Sequence, residues 1–338
     1  IQEIFTMEIK AADVAKLRKM TGAGMMDCKK ALVEANGDYE KAKEIIREKG
    51  KLVAAKRSDR ETTEGSVIAK VTADNKKAIL VSLGCETDFV ANNEEFKALA
   101  EDIANTAINN YPADLEALKA CKLSSGVTVE EGVTQQTGKS GEKHAIPYYS
   151  TLEAGYIASY IHINHKVGAI VGFNKPMADA HVGKEIAMQV TAMNPVSLTK
   201  DDCPKEVIEK ELEVAVEKTK EEMVKKAVEA AIKKAGFNPA HFDSEDHMES
   251  NQSKGWITAE DVVKVKEIIA KVTAEKSANM PEQMINNIAQ GRLAKFFKES
   301  TLEEQTFVQD GKISVREYLK KVDPELKITG FRRFSLAD

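Results

Sequence analysis

Residues 65–83, GSVIAKVTADNKKAILVSL, align without a gap on residues 155–173, GYIASYIHINHKVGAIVGF, at an offset of ninety positions. This duplication constrains the fold more than any other feature of the chain. Each copy reads as a strand, a polar turn containing Asn (Asp74-Asn75, then Asn164-His165) and a second apolar strand. Apolar positions correspond: Val67 with Ile157, Val71 with Ile161, Leu80 with Ile170, Val81 with Val171. A helix is expected after each copy, from about Asn93 to Ile108 and from Val182 to Met193. Repeated units of this size cannot bury their apolar faces alone. The sequence therefore predicts an α+β fold with a core of two similar subdomains packed together.

Ahead of the repeat, Val14 and Leu17, then Cys28, Ala31 and Leu32, then Ala42, Ile45 and Ile46 recur at helical spacing. Three short helices are expected, with Gly22 and Gly24 in the first turn, Asn36-Gly37-Asp38 in the second, and Asp38 as N-cap of the third. Gly50 is expected to end that helix. This pattern resembles a ubiquitin-associated (UBA) domain. The domain plan is then a UBA-like bundle over 7–50, a linker over 51–64, a first core subdomain over 65–145, and a second over 146–198 that resumes at 282–338. Between these halves, 199–281 reads as a helical hairpin of coiled-coil type, with long charged helices over 206–234 and 257–276. Met7 reads as a natural start, which makes residues 1–6 an expected extension.

Composition excludes several functions. The formal charge of −5 and the absence of a basic stripe argue against a nucleic-acid partner. Cys28, Cys85, Cys121 and Cys203 are far apart, so neither a zinc site nor a disulfide framework is expected, and a reducing cytoplasm suits them. No apolar run approaches the ~18–20 residues of a membrane span. There is no phosphate-binding Gly-x-x-x-x-Gly-Lys-Ser/Thr loop, and no nucleophile–base constellation stands out. His162-x-x-His165 lacks a third ligand. No enzyme activity, metal or cofactor is expected.

Two motifs remain. Leu17 to Leu32 reads LRKMTGAGMMDCKKAL, with Met25 and Met26 between a glycine turn and a helix. They are either core residues of the bundle or an adaptable surface patch. Gly84 to Val90 reads GCETDFV, where Phe89 either staples the following helix to the sheet or projects from the loop. Both motifs resemble signatures of the elongation factor Ts family. The resemblance extends through IAMQVTAMNP (186–195), GRL (291–293), EQTFV (304–308) and GFRRF (330–334). It departs at Gln189, at Thr306, and at Ser140-Gly141-Glu142-Lys143, which keeps part of an Ile-Gly-Glu-Asn contact loop.

The resemblance implies a guanine-nucleotide exchange factor for elongation factor Tu, bound in its GDP and nucleotide-free states. It implies that Asp88 and Phe89 wedge into the GTP-binding domain near its magnesium and phosphate site. The partner-contacting positions it carries over are Arg18, Met25, Met26, Lys29, Thr87, Asp88, Phe89, Val90, Gly141 and His162. A homodimer through the core or the hairpin is a further expectation. The rival reading is a UBA-like binding module on a chaperone or scaffold without exchange activity, which the bundle alone would allow.

Overall fold

A computed structural model describes residues 9–338. It begins with helices α1 (Ala11–Thr21), α2 (Met25–Glu34) and α3 (Tyr39–Lys56), then strands β1 (Glu64–Val71) and β2 (Lys77–Cys85). Next come α4 (Asp88–Ala91), α5 (Glu94–Asn110), α6 (Leu115–Ala120), α7 (Val129–Ser140), β3 (Ala145–Glu153), β4 (Tyr156–Ile161), β5 (Val167–Phe173) and α8 (Ala180–Met193). Helices α9 (Lys205–Lys234), α10 (Glu245–Ser253), α11 (Ala259–Ala278) and α12 (Glu282–Ser300) precede α13 (Val315–Val322) and β6 (Ile328–Ser335). The expected extension at 1–6 lies outside the described residues.

The two repeat copies form two antiparallel sheets, ordered β1-β2-β3 and β4-β5-β6. Eight consecutive residues of β2, from Ala78 to Cys85, are buried, because both faces of the central strand are covered. Ile79, Val81, Leu83 and Cys85 face α5 through Phe96, Ala100 and Ile103. The alternate residues Ala78 and Leu80 meet Val67, Leu152, Ile157 and Ile170 between the sheets. Two equivalent hydrogen bonds close the seam. The Val67 amide donates to the His165 carbonyl, and the Ile157 amide to the Asn75 carbonyl, both at 2.7 Å. Adding ninety to 67 and 75 gives 157 and 165, so the copies dock on each other through reciprocal contacts, as a symmetric dimer would. Both acceptor residues have left-handed backbones, with φ of 58° at Asn75 and 56° at His165.

Three expectations change. Strand β3 pairs with β2 in register Ala78↔Leu152 through Ser82↔Tyr148, so the first sheet runs to Glu153 and the subdomain boundary lies beyond 145/146. The sequence AIPYYSTLE hides this strand because Pro147 interrupts its pattern, and proline is tolerated where the strand lies at a sheet edge. Gly50 does not end the third helix, which continues to Lys56 into the expected linker. A Cβ at Gly138 of α7 would lie 2.9 Å from the Gly50 Cα, so both glycines serve a close approach of helix backbones.

The third change concerns the inserted helices. The chain divides into two units, one running to Asn194 and resuming at Phe307–Asp338, the other Pro195–Thr306. Within the second, α9 packs against both α11 and α12. Helix α12 buries Ile285, Ala289 and Leu293 at four-residue spacing, and Arg292 pairs with Glu222 of α9 at 2.7 Å. The chain therefore rejoins the duplicated core after this helix, near residue 307, instead of at 282. Between the two long helices read from the sequence, Ser244 caps a further helix, α10, whose Met248 joins a small core with Ile232, Phe242, Ile257 and Val265. The acidic Glu245 and Asp246 sit in the first turn of α10, where a helix dipole favours negative charge.

Candidate functional site

Strand β2 delivers the site. Past Cys85 the chain leaves the sheet, and Thr87 caps the single-turn helix α4. Val90 and Ala91 turn inward onto the core beneath α5, which fixes the opposite face of that turn outward. Asp88 is exposed, and the Phe89 ring is 86% exposed. Stapling of the helix falls to Val90, and the core reading of Phe89 is set aside. Burying such a ring is worth roughly 1.5–3 kcal/mol, which this surface leaves available to a partner.

The loop is held by carboxylates from both sides. The Thr87 amide and hydroxyl donate to the two oxygens of Glu142, at 3.1 and 2.7 Å. Glu86 accepts from Arg57 at 2.8 Å to each oxygen and from the Lys143 amide at 2.6 Å. That amide, then the Arg57 guanidinium, holds the Glu86 carboxyl below its usual range. Lys143 Nζ donates to the Ser58 and Arg60 carbonyls, both at 2.7 Å, tying in the segment after α3. Burial and then the Glu142 charge push the Cys85 thiol up to about 12, so it is inert at neutral pH. Burial also depresses His144, whose ring lies tilted at 46° against Phe96 with centroids 5.6 Å apart and whose Nε2 finds no partner.

The helical bundle presents a second cluster. Gly22 has φ 67° and closes α1 on the Arg18 carbonyl, while Gly24 is extended and serves as N-cap of α2. Only the first of the two glycines needs a left-handed conformation. The bundle core is built from Val14, Leu17, Cys28, Ala31 and Leu32 and includes neither Met25 nor Met26. Those side chains are 46% and 64% exposed, and Arg18 and Lys29 are exposed beside them. Arg18 and Met25 line one cavity of about 570 Å³ with Glu95 and Lys139, at the start of α5 and the end of α7. Gly141 caps α7 at φ 75° and carries the chain into Glu142.

His162 lies apart from these. It is exposed in the β4–β5 turn, its Nδ1 3.2 Å from the Tyr160 hydroxyl. With Tyr160, Met188, Phe307 and Val308 it lines a separate cavity of about 270 Å³. Next to it Ile163 is 87% exposed, a position no pattern in the sequence singles out because it sits in a polar turn. Glu142, in the partly kept contact loop, is joined to Thr87 in a way the motif does not show. Its link to Thr87 spans fifty-five residues and leaves no local signal. Among the described residues no helix is long and apolar enough to cross a membrane.

The family model for elongation factor TS matches residues 86–243 and 244–338, more than half of the chain. The elongation factor Ts of Bacteroides fragilis is 56% identical over 331 residues, covering 98% of this chain and 99% of that protein. That of Bacteroides thetaiotaomicron is 54% identical with the same coverage. That of Christiangramia forsetii is 40% identical over 330 residues, covering 97% of this chain and 99% of its own length.

Proposed function

The chain belongs to the elongation factor Ts family, and on that premise we propose that it is a guanine-nucleotide exchange factor. It binds elongation factor Tu·GDP, destabilises the bound nucleotide, and leaves when GTP rebinds. The observation that carries this reading is the isolated Phe89 ring, exposed beside the Asp88 carboxylate on a braced helical turn. An aromatic ring supplies large contact area at low entropic cost. A carboxylate beside it disturbs a magnesium or water network. The protein performs no bond chemistry of its own.

The energetics require more than this one side chain. A nucleotide held at nanomolar affinity is worth ~12 kcal/mol, and the factor must stabilise the empty partner by a comparable amount. Coupling is reciprocal, so nucleotide weakens factor binding equally. An interface of at least ~1,600 Å² is needed. The Arg18/Met25/Met26/Lys29 patch, the Thr87–Val90 loop with Gly141, and the turn bearing His162 supply three apolar or charged surfaces for it. Exposed methionines suit the first, because a flexible polarizable side chain adapts to a partner. In this reading the bundle is UBA-like and serves as a binding arm.

The test is release of fluorescent GDP from elongation factor Tu with the intact protein and with Phe89→Ala. The intact protein should accelerate release, and the variant should lose most of that acceleration. Its folding stability should change by under about 0.5 kcal/mol, as at other exposed sites. Acceleration left intact in the variant would remove Phe89 from the mechanism, and none from the intact protein would sink the reading.

A further inference from the structure

We propose that Glu142 is the positioning residue for Phe89, holding it through Thr87; this rests on the exchange reading above. An isolated single-turn helix has no stability of its own, since its nucleus costs more than its one or two hydrogen bonds return. Helix α4 has four residues. Its internal ties are those of one turn: the Ala91 and Asn92 amides donate to the Thr87 and Asp88 carbonyls at 3.1 and 2.9 Å, the Thr87 hydroxyl accepts from the Val90 amide at 3.5 Å, and the Asn92 side chain also donates to the Asp88 carbonyl at 2.9 Å. Val90 and Ala91 anchor the C-terminal end on the core. The N-terminal end, from which Asp88 and Phe89 project, is fixed by the two bonds that Thr87 makes to Glu142.

Glu142 can act as a brace because it is itself held. The Glu142 amide donates to the Ser140 hydroxyl at 3.1 Å, and its carbonyl lies 3.0 Å from the His144 Nδ1. The His144 amide donates to the Thr137 hydroxyl at 3.1 Å, locking the turn onto α7. Lys143, between them, is bound to Glu86 and to the segment after α3. The chain thus carries a rigid turn whose one free carboxylate receives both donors of the residue before Asp88-Phe89. A ring ordered in advance loses less entropy when it enters a partner, and a site held by a supporting shell keeps its geometry.

The test compares Glu142→Ala and Glu142→Gln in the full-length protein. Because Thr87 and Glu142 are half-buried, water reaches the freed donors and the fold survives. At saturating factor, Glu142→Ala should slow GDP release roughly 10- to 100-fold, the scale of a misplaced reacting group. The factor concentration giving half-maximal release should move by less than about twofold, because the contact surfaces remain. Glu142→Gln, with one acceptor oxygen for two donors, should fall between. A second readout is independent of exchange: with 4-fluorophenylalanine at 89, the 19F resonance should be single and shifted in the parent and averaged toward the unfolded position in Glu142→Ala.

Parent-like release and an unchanged resonance in Glu142→Ala would overturn the proposal. A parent that releases no GDP, with the resonance still averaged in the variant, would sink the exchange reading and leave the positioning role standing. Should Glu142→Ala fail to fold, Thr87→Val removes one donor and Thr87→Ser keeps both. Loss in the first with recovery in the second supports the brace, and equal behaviour of the two refutes it.

Discussion

The two copies of the repeat share a backbone and differ in which corner they decorate. In the first, the turn between strands is small and polar at Ala73-Asp74, and the exit from the second strand carries Phe89. In the second, the exit is plain: the chain runs from Phe173 to Asp179, which caps α8, without an exposed large apolar side chain. The decoration has moved to the turn between strands, where Ile163 and His162 are exposed. Reciprocal docking brings these corners to the same end. Lys166, in the second turn, pairs with Glu64 at 2.6 Å, and Glu64 lies opposite Cys85, the last residue before the Phe89 loop. Both plain corners lie at the other end, against the segment entering the second copy: the Ala154 amide donates to the Lys76 carbonyl, and a Cβ on Gly155 would run into the Asn174 carbonyl oxygen. Duplication with reciprocal docking turned two equal units into one polarised core, and divergence had only to change one corner in each.

The most severe way to break this comparison is to cut equivalent core positions. Leu80 and Ile170 correspond at ninety residues and are both fully buried in the same cluster between the sheets. Leu80→Ala and Ile170→Ala should each cost about 2–5 kcal/mol in urea unfolding. Both should show a single transition, and the double variant should deviate from additivity, because the two side chains share one core. A much smaller loss in one copy, or separate transitions, would mean that the copies are structurally unequal despite their shared pattern.

How much of this was legible in the sequence follows from range. Strand β2 and its repeat partner were readable because burial on both faces leaves a continuous apolar run, and Asp38 was readable as a cap because its acceptor role is local. Strand β3 was not, since its polar and proline-containing sequence becomes a strand only when β2 supplies the pairing. Gly50 looked like a helix stop because its partner Gly138 lies far along the chain. The exposure of Phe89 and of Met25/Met26 could not be decided from residue type, since each had a sensible core alternative. The packing of Val90 and of the Leu17/Leu32 cluster decided it.

The copies should also differ in their response to acid. His144, beside the first copy's loop, is buried against Phe96, and desolvation lowers its affinity for a proton although the Glu142 and Glu86 charges pull the other way. His162, His165 and His181 of the second copy are exposed. A histidine whose folded pKa is depressed stabilises fully above its unfolded value of ~6.5 and loses that contribution as pH falls through it. The melting temperature should therefore be lower near pH 5.5 than near pH 7.5, and His144→Gln should flatten that slope. Glu86, also depressed, should add its own loss only below ~4.5, where an ordinary carboxyl takes up its proton. An unchanged slope in His144→Gln would place the acid sensitivity elsewhere and remove this difference between the copies.

The finest distinction lies in the turn residues that make the reciprocal bonds. Asn75 and His165 occupy equivalent left-handed positions, at φ 58° and 56°, and each offers its carbonyl to the other copy. Asparagine tolerates that conformation better than histidine, since its short polar side chain crowds the backbone less and bonds locally. His165 is exposed, so its ring contributes no core packing that a replacement would forfeit. His165→Asn should then make the second turn like the first and stabilise the protein by a few tenths of a kcal/mol, up to about 1. Asn75→His should cost a similar amount. Urea midpoints of the two variants against the parent would measure both effects. Opposite signs of similar size would establish that the two turns are energetically interchangeable. A destabilising His165→Asn would instead show that the His165 ring has acquired a role at the decorated end, and that the copies have diverged even in the bonds that join them.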